Sequence, residues 1–120
     1  MECLMVSKLE KLSLADFDTS KVQNMYFMFA DCISLISLNI DNFKTGNIID
    51  IFAMFQNCSS LTFCKFAIFN TPNVADMGNL FENCKTLQII EVNNFSTNNL
   101  NYMNEMSQNA QISFQLVWPD

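Results

Sequence analysis

Five cysteines are the residues best suited to chemistry in this chain of 120 residues, and they are accompanied by no histidine. Cys32, Cys58 and Cys84 follow one another at a spacing of 26, while Cys3 and Cys64 fall outside that series. A cysteine nucleophile needs a base or an electropositive setting, and these cysteines stand among Phe and Met. The missing histidine excludes Ser-His-Asp and Cys-His catalysis, histidine metal sites and histidine pH switches. A thiol column in single file also lacks the paired spacing that wraps a tetrahedral ion. At the position of Cys32, Cys58 and Cys84, the flanking units carry Val6 and Ala110. Leu12, Leu38 and Ile90 stand where Cys64 does, and Phe29, Phe55 and Phe81 where Cys3 does. Cysteine that alternates with apolar residues behaves as a buried apolar side chain. The sequence predicts free structural thiols, with a disulfide between neighbouring units as the minor alternative.

No other constellation points to catalysis. Asp16 and Asp18 form a carboxylate pair, but their equivalents are Asn42 with Lys44 and Ile68 with Asn70, so no column of ligands forms. Gly46 and Gly78 are the only glycines, too few for a phosphate-cradling loop. No group can act as a base near neutral pH, so the chain reads as non-enzymatic, with no cofactor and no metal. The net charge is −6, with twelve acidic residues, six lysines and no arginine. That balance argues against nucleic acid and against anionic membrane surfaces. No run approaches the roughly 18 apolar residues that cross a bilayer.

The elements that position these residues come from a repeat. The chain divides without insertions into a partial unit at 1–8, full units at 9–34, 35–60, 61–86 and 87–112, and a remnant at 113–120. Phe17, Phe43, Phe69 and Phe95 fall in register, as do Thr19, Thr45, Thr71 and Thr97, and Phe29, Phe55 and Phe81. A fixed period of this size marks a stacked-repeat protein within a single domain. Each unit opens with L-x-x-L-x-L spacing, and its alternation predicts parallel strands near 10–15, 36–41, 62–67 and 88–93. The phenylalanine of the following F-x-T step is expected to stack on its equivalents. Threonine reads as a helix N-cap, and Pro72 after Thr71 as a first helical residue. Ile48, Ile51, Met54, Phe55 and Cys58 then recur at steps of three and four, as one face of a short helix. The methionines of this stripe alternate with Ile51 and Leu80 and read as core.

The two ends differ. Ile112, Phe114, Leu116 and Trp118 alternate and predict a last strand over 113–120 that caps the stack. The start, MECLMVSKLEKLSL, fits the end of a repeat and shows no basic region leading into an apolar stretch, hence no signal peptide in this segment. A start in mid-repeat suggests a piece of a longer array, or end-to-end self-association through the uncapped amino-terminal unit.

Function is expected on the outward strand positions, which the core pattern leaves free. The candidate partner-binding residues are Lys11 and Ser13, then Ser37, Asn39 and Asp41, then Phe63 and Lys65, then Ile89, Glu91 and Asn93. Phe63 and Ile89 are large apolar groups on adjacent strands where polar residues are expected, and so are candidate anchors for a partner.

Taken together, DFDTSKVQNMYFMFADCISL at 16–35 and NFKTGNIIDIFAMFQNCSSL at 42–61 resemble the BspA-like leucine-rich repeat. The resemblance runs from Val6 to about Met106; Ile51 departs from it by replacing a methionine, and the fourth unit by having Ser107 for Phe and Ala110 for Cys. It implies an α/β, leucine-rich-repeat-like right-handed solenoid with one strand and one short helix per unit. It also implies display at the cell surface or secretion, and adhesin-type binding of a protein or other macromolecule, without catalytic residues. An intracellular, cytoplasmic scaffold and a structural spacer that recognises nothing are the alternatives.

Overall fold

Each L-x-x-L-x-L stretch places its apolar residues on one side of an extended segment, and that side needs a neighbour to cover it. The computed structural model, which describes residues 9–40, 42–65, 70–91, 99, 101–102 and 105–110, shows how it is covered. Strands β1 (Lys11–Ser13), β2 (Ser37–Asn39), β3 (Phe63–Lys65) and β4 (Ile89–Glu91) form one parallel sheet in sequential order. Partners such as Leu12 and Leu38, or Cys64 and Ile90, lie one repeat apart throughout. The strands are three residues long, shorter than the alternation suggests. The reason is local: Phe17 N–H bonds Leu14 O, and Phe43 N–H bonds Ile40 O, so the chain turns at once after its third apolar residue.

The short helix expected in each repeat does not form among the described residues. In its place, residues 25–32 and their equivalents are ribbons of consecutive turns. Every second amide bonds back three residues, as Met28 N–H does to Met25 O and Ala30 N–H to Phe27 O. The amides between them cross to the next repeat: Met25 to Asp50 O, Phe27 to Phe52 O, Phe29 to Met54 O and Asp31 to Gln56 O, all at 2.8–3.0 Å. Ile51, Ala53, Phe55 and Asn57 repeat the pattern toward Asp76, Gly78, Leu80 and Glu82. Backbone φ is positive at Phe27 and Asp31, at Ala53 and Asn57, at Asn79 and Asn83, and at Glu105 and Asn109. A left-handed residue every fourth position breaks a helix, and the cross-repeat bonds satisfy the amides that a helix would have used.

Threonine therefore does not cap a helix. The Thr19 hydroxyl accepts from Lys44 N–H at 2.8 Å and donates to Lys44 O at 3.4 Å. Thr45 does the same with Asn70, at 2.8 and 2.7 Å. Pro72 occupies the second position of a four-residue turn closed by Val74 N–H to Thr71 O, where its fixed φ is equally suited.

Between sheet and ribbons lies the core. Phe29, Phe55 and Phe81 stack face to face, with centroids 5.4 and 5.7 Å apart and ring planes within 15°. Ile48, Ile51, Met54, Leu61, Val74, Met77, Leu80 and Leu87 are fully enclosed around them. Met25 and Met106 are buried too, as the stripe predicts. The F-x-T phenylalanine behaves less uniformly than expected: Phe43 is buried, but Phe17 is 64% exposed. It sits on β1's rung, whose Leu12 and Leu14 are only half-buried. Phe69 and Phe95, the unit at 1–8 and the cap strand at 113–120 lie outside the described residues.

Candidate interaction face

The sheet register gathers the outward strand positions into two columns. Lys11 pairs with Ser37, Ser37 with Phe63, and Phe63 with Ile89. Beside that column, Ser13 pairs with Asn39 and Lys65 with Glu91. Lys11, Ser13 and Asn39 are exposed, Ser37 is half-buried, and Phe63 presents 41% of its surface. Lys65, Ile89 and Glu91 are placed by their strand backbone, whereas Asp41 and Asn93 lie outside the described residues. Ile36, 37% exposed one residue before β2, adds an apolar group the L-x-x-L-x-L pattern leaves unassigned. Its N–H bonds Glu10 O, and its carbonyl accepts from Thr62 N–H, so it is held as firmly as a strand residue.

Other groups with chemical potential are occupied. Cys58, Cys64 and Cys84 are free thiols with no exposed surface. Cys58 and Cys84 donate to Phe29 O and Phe55 O at 3.0 and 3.1 Å. Burial raises all three thiols, Cys84 to about 12 and Cys64 well above its ordinary value. A thiol so protonated is no nucleophile. Cys32 departs from the expectation of free thiols: it is only half-buried and is disulfide-bonded. The Asp18 carboxylate accepts from Ser20 N–H at 3.0 Å, which lowers its pKa, and Lys44 stands 3.8 Å away in the exposed pair.

Two further groups of residues are absent from the sequence-based candidates. Asn57 donates to Asp31 Oδ1, Asn83 to Asn57 Oδ1 and Asn109 to Asn83 Oδ1, at 2.7–3.0 Å, along the left-handed corners. Tyr26 and Phe27 project as exposed large apolar groups from the first ribbon, and Ile49 and Tyr102 from the segments just before its equivalents in the second and fourth units. Their signal was available: the columns of Tyr26 and Phe27 run Tyr, Phe, Gly, Asn and Phe, Ala, Asn, Glu. Such swings mark positions whose surroundings differ from unit to unit: Tyr26 and Phe27 are exposed, whereas Ala53 and Gly78 at the equivalent positions are buried.

A family model described as "Mycoplasma protein of unknown function, DUF285" matches residues 4–66 and 38–116. The chain belongs to this family. The DUF285 matches overlap over 38–66, as a chain repeating at 26 residues allows. No curated protein matches the chain. No solved structure matches it either. The DUF285 description carries no activity, so the chemistry of the face rests on its residues alone.

Proposed function

We propose that this chain is a non-enzymatic interaction module, built as a leucine-rich-repeat-like solenoid of the BspA-like kind, which binds a macromolecule through its sheet face. One observation carries the reading. The register sets Phe63 opposite Ile89 at the β3–β4 end of the face, next to the polar positions Lys11, Ser13, Ser37 and Asn39 of β1 and β2. An exposed apolar pair bordered by polar residues is the kind of anchor that a binding hot spot uses. The partner is a protein or another non-nucleic-acid macromolecule, and Lys65 and Glu91, on the same two strands, set the polarity beside the anchor.

Display at the cell surface or secretion is the matching location. A disulfide at Cys32 suits an oxidising compartment. The enclosed Cys58, Cys64 and Cys84 would persist there as thiols, since nothing in solution reaches them. The non-enzymatic reading is supported by the absence of histidine and by the protonation of those thiols.

Purified chain applied to host cells or extracellular matrix is expected to adhere, and a Phe63→Ser, Ile89→Ser variant of unchanged thermal midpoint to lose adhesion. Retained adhesion by that variant would sink the sheet-face assignment. Protease shaving of intact source cells separates the location from the face: release of peptides supports display, whereas protection until lysis rejects it.

A further inference from the structure

The turn ribbons form a second surface with a composition unlike the sheet. Phe27 packs edge-on against Tyr26 and Phe52, with centroids 5.8 and 5.4 Å apart, and Tyr26 and Phe27 remain 53% and 39% exposed. Phe52 lies across Gly78: two of its ring carbons come within 3.2 Å of where a β-carbon on Gly78 would sit. Asp76 Oδ1 reaches the same point, also at 3.2 Å. Asp50 Oδ1 accepts from Phe52 N–H at 2.8 Å. Carboxylates from two repeats thus flank one aromatic cluster.

Charge identifies the occupant. Residues 23–31, 49–57, 75–83 and 101–109 hold five of the twelve acidic residues, Asp31, Asp50, Asp76, Glu82 and Glu105, and none of the six lysines. Among the described residues, the ion pair recorded is Lys44 with Asp18, outside these segments. Aromatic faces attract cations, more strongly where carboxylates share the site. A second copy would bring the same acidic, lysine-free surface and a net charge of −6 against it.

We infer that this aromatic, acidic ribbon face docks a basic peptide segment of a partner protein, its Arg or Lys side chains over Tyr26, Phe27 and Phe52 beside Asp50 and Asp76. The sheet face plays no part, so the two assignments stand or fall separately.

The probe is a fluorescent peptide of alternating arginine and leucine, read by anisotropy against the full chain, with its glutamate-leucine counterpart as control. Two double variants keep the local backbone. Tyr26→Asn with Phe27→Asn borrows the residues of Asn104 and Asn79, and asparagine tolerates the φ of 55° at Phe27. Asp50→Asn with Asp76→Asn retains both turn-closing acceptors. The arginine peptide is expected to bind wild type, more weakly as salt rises, and each double variant about tenfold more weakly. Phe63→Ser is expected to bind as wild type does. Undiminished binding by the aromatic variant would reduce the interaction to general charge attraction and overturn the inference. Equal binding of the glutamate peptide, no binding by wild type, or a wild-type dimer dissolved by the aromatic variant would overturn it too. Thermal midpoints within a few degrees of wild type show that each variant is folded.

Discussion

Sheet and ribbons stack the same repeats by different means. On the sheet side, three-residue strands bond only to their neighbours, and specificity comes from which side chains face inward. On the ribbon side, half of the amides bond locally and half across repeats, and two left-handed residues per repeat hold the shape. A strand can form wherever its alternation allows. A ribbon needs named residues at named corners, so it carries more of the fold's selectivity and more of its vulnerability.

The largest expected effect tests that contrast in the core. Phe55 is enclosed between Phe29 and Phe81 on the ribbon side, and Phe55→Ala should cost about 4 kcal/mol in urea unfolding. Leu38→Ala on β2, at 7% exposure and with fewer atoms to lose, should cost about 2 to 3 kcal/mol. A larger loss at Leu38 would reverse the comparison.

Alkaline pH probes both sides at once. Cys64 is in β3 and Cys84 ends a ribbon, and the folded state holds their protons where the unfolded chain releases them. Stability is therefore undiminished below pH 9.0, the ordinary thiol value, and falls from there toward the folded value, about 12 for Cys84. The slope is about 1.4 kcal/mol per pH unit for each thiol. Thermal or urea unfolding at pH 11 should show Cys84→Ala spared about 3 kcal/mol of the wild-type decline, with Cys64→Ala spared in the same direction.

At the corners the effects are smaller and more diagnostic. Asn57 sits at φ 62° and bonds both Asp31 and Asn83. Asn57→Ala should cost about 2 kcal/mol and Asn57→Gly about 1 less, because glycine regains the left-handed corner but not the side-chain bonds. Equal costs would mean that the corner conformation matters little. Smallest is Glu105→Gly, at φ 56° on an exposed corner. Relief of the left-handed strain should outweigh the added freedom of the unfolded chain and stabilise by about 0.5 kcal/mol. A helix at that position would lose about 1 kcal/mol instead, so the sign of the change in thermal midpoint decides between them.

These differences explain what could be read in advance. The strands, their order and their 26-residue register follow from Leu12, Leu38, Cys64 and Ile90 alone, because alternation has one structural meaning. The ribbons were hidden by a coincidence of periods. A left-handed corner every four residues spaces Ile51, Met54, Phe55 and Cys58 as a helix would. The clue against a helix was Asp31, Asn57, Asn83 and Asn109 recurring at one position. Asp and Asn tolerate the left-handed region better than most residues. Of the candidate site, the sheet columns were legible as free positions. The ribbon surface was not, because outward positions on a mistaken helix could not be grouped with their true neighbours.

The side-chain columns also set what kinds of sequence change the molecule can survive. Thr19 and Thr45, the Phe29–Phe55–Phe81 stack and the Asp31–Asn57–Asn83–Asn109 series all bridge repeats at fixed offsets. A single-residue deletion inside a middle repeat shortens the offsets that span it: lost at position 50, it puts Phe29 and Phe55, and Asp31 and Asn57, out of step, while Phe55 and Phe81 keep theirs. Excising a whole unit such as 35–60 leaves each column continuous and removes only the contacts of one layer. In this architecture, losing one residue breaks columns that losing twenty-six leaves continuous.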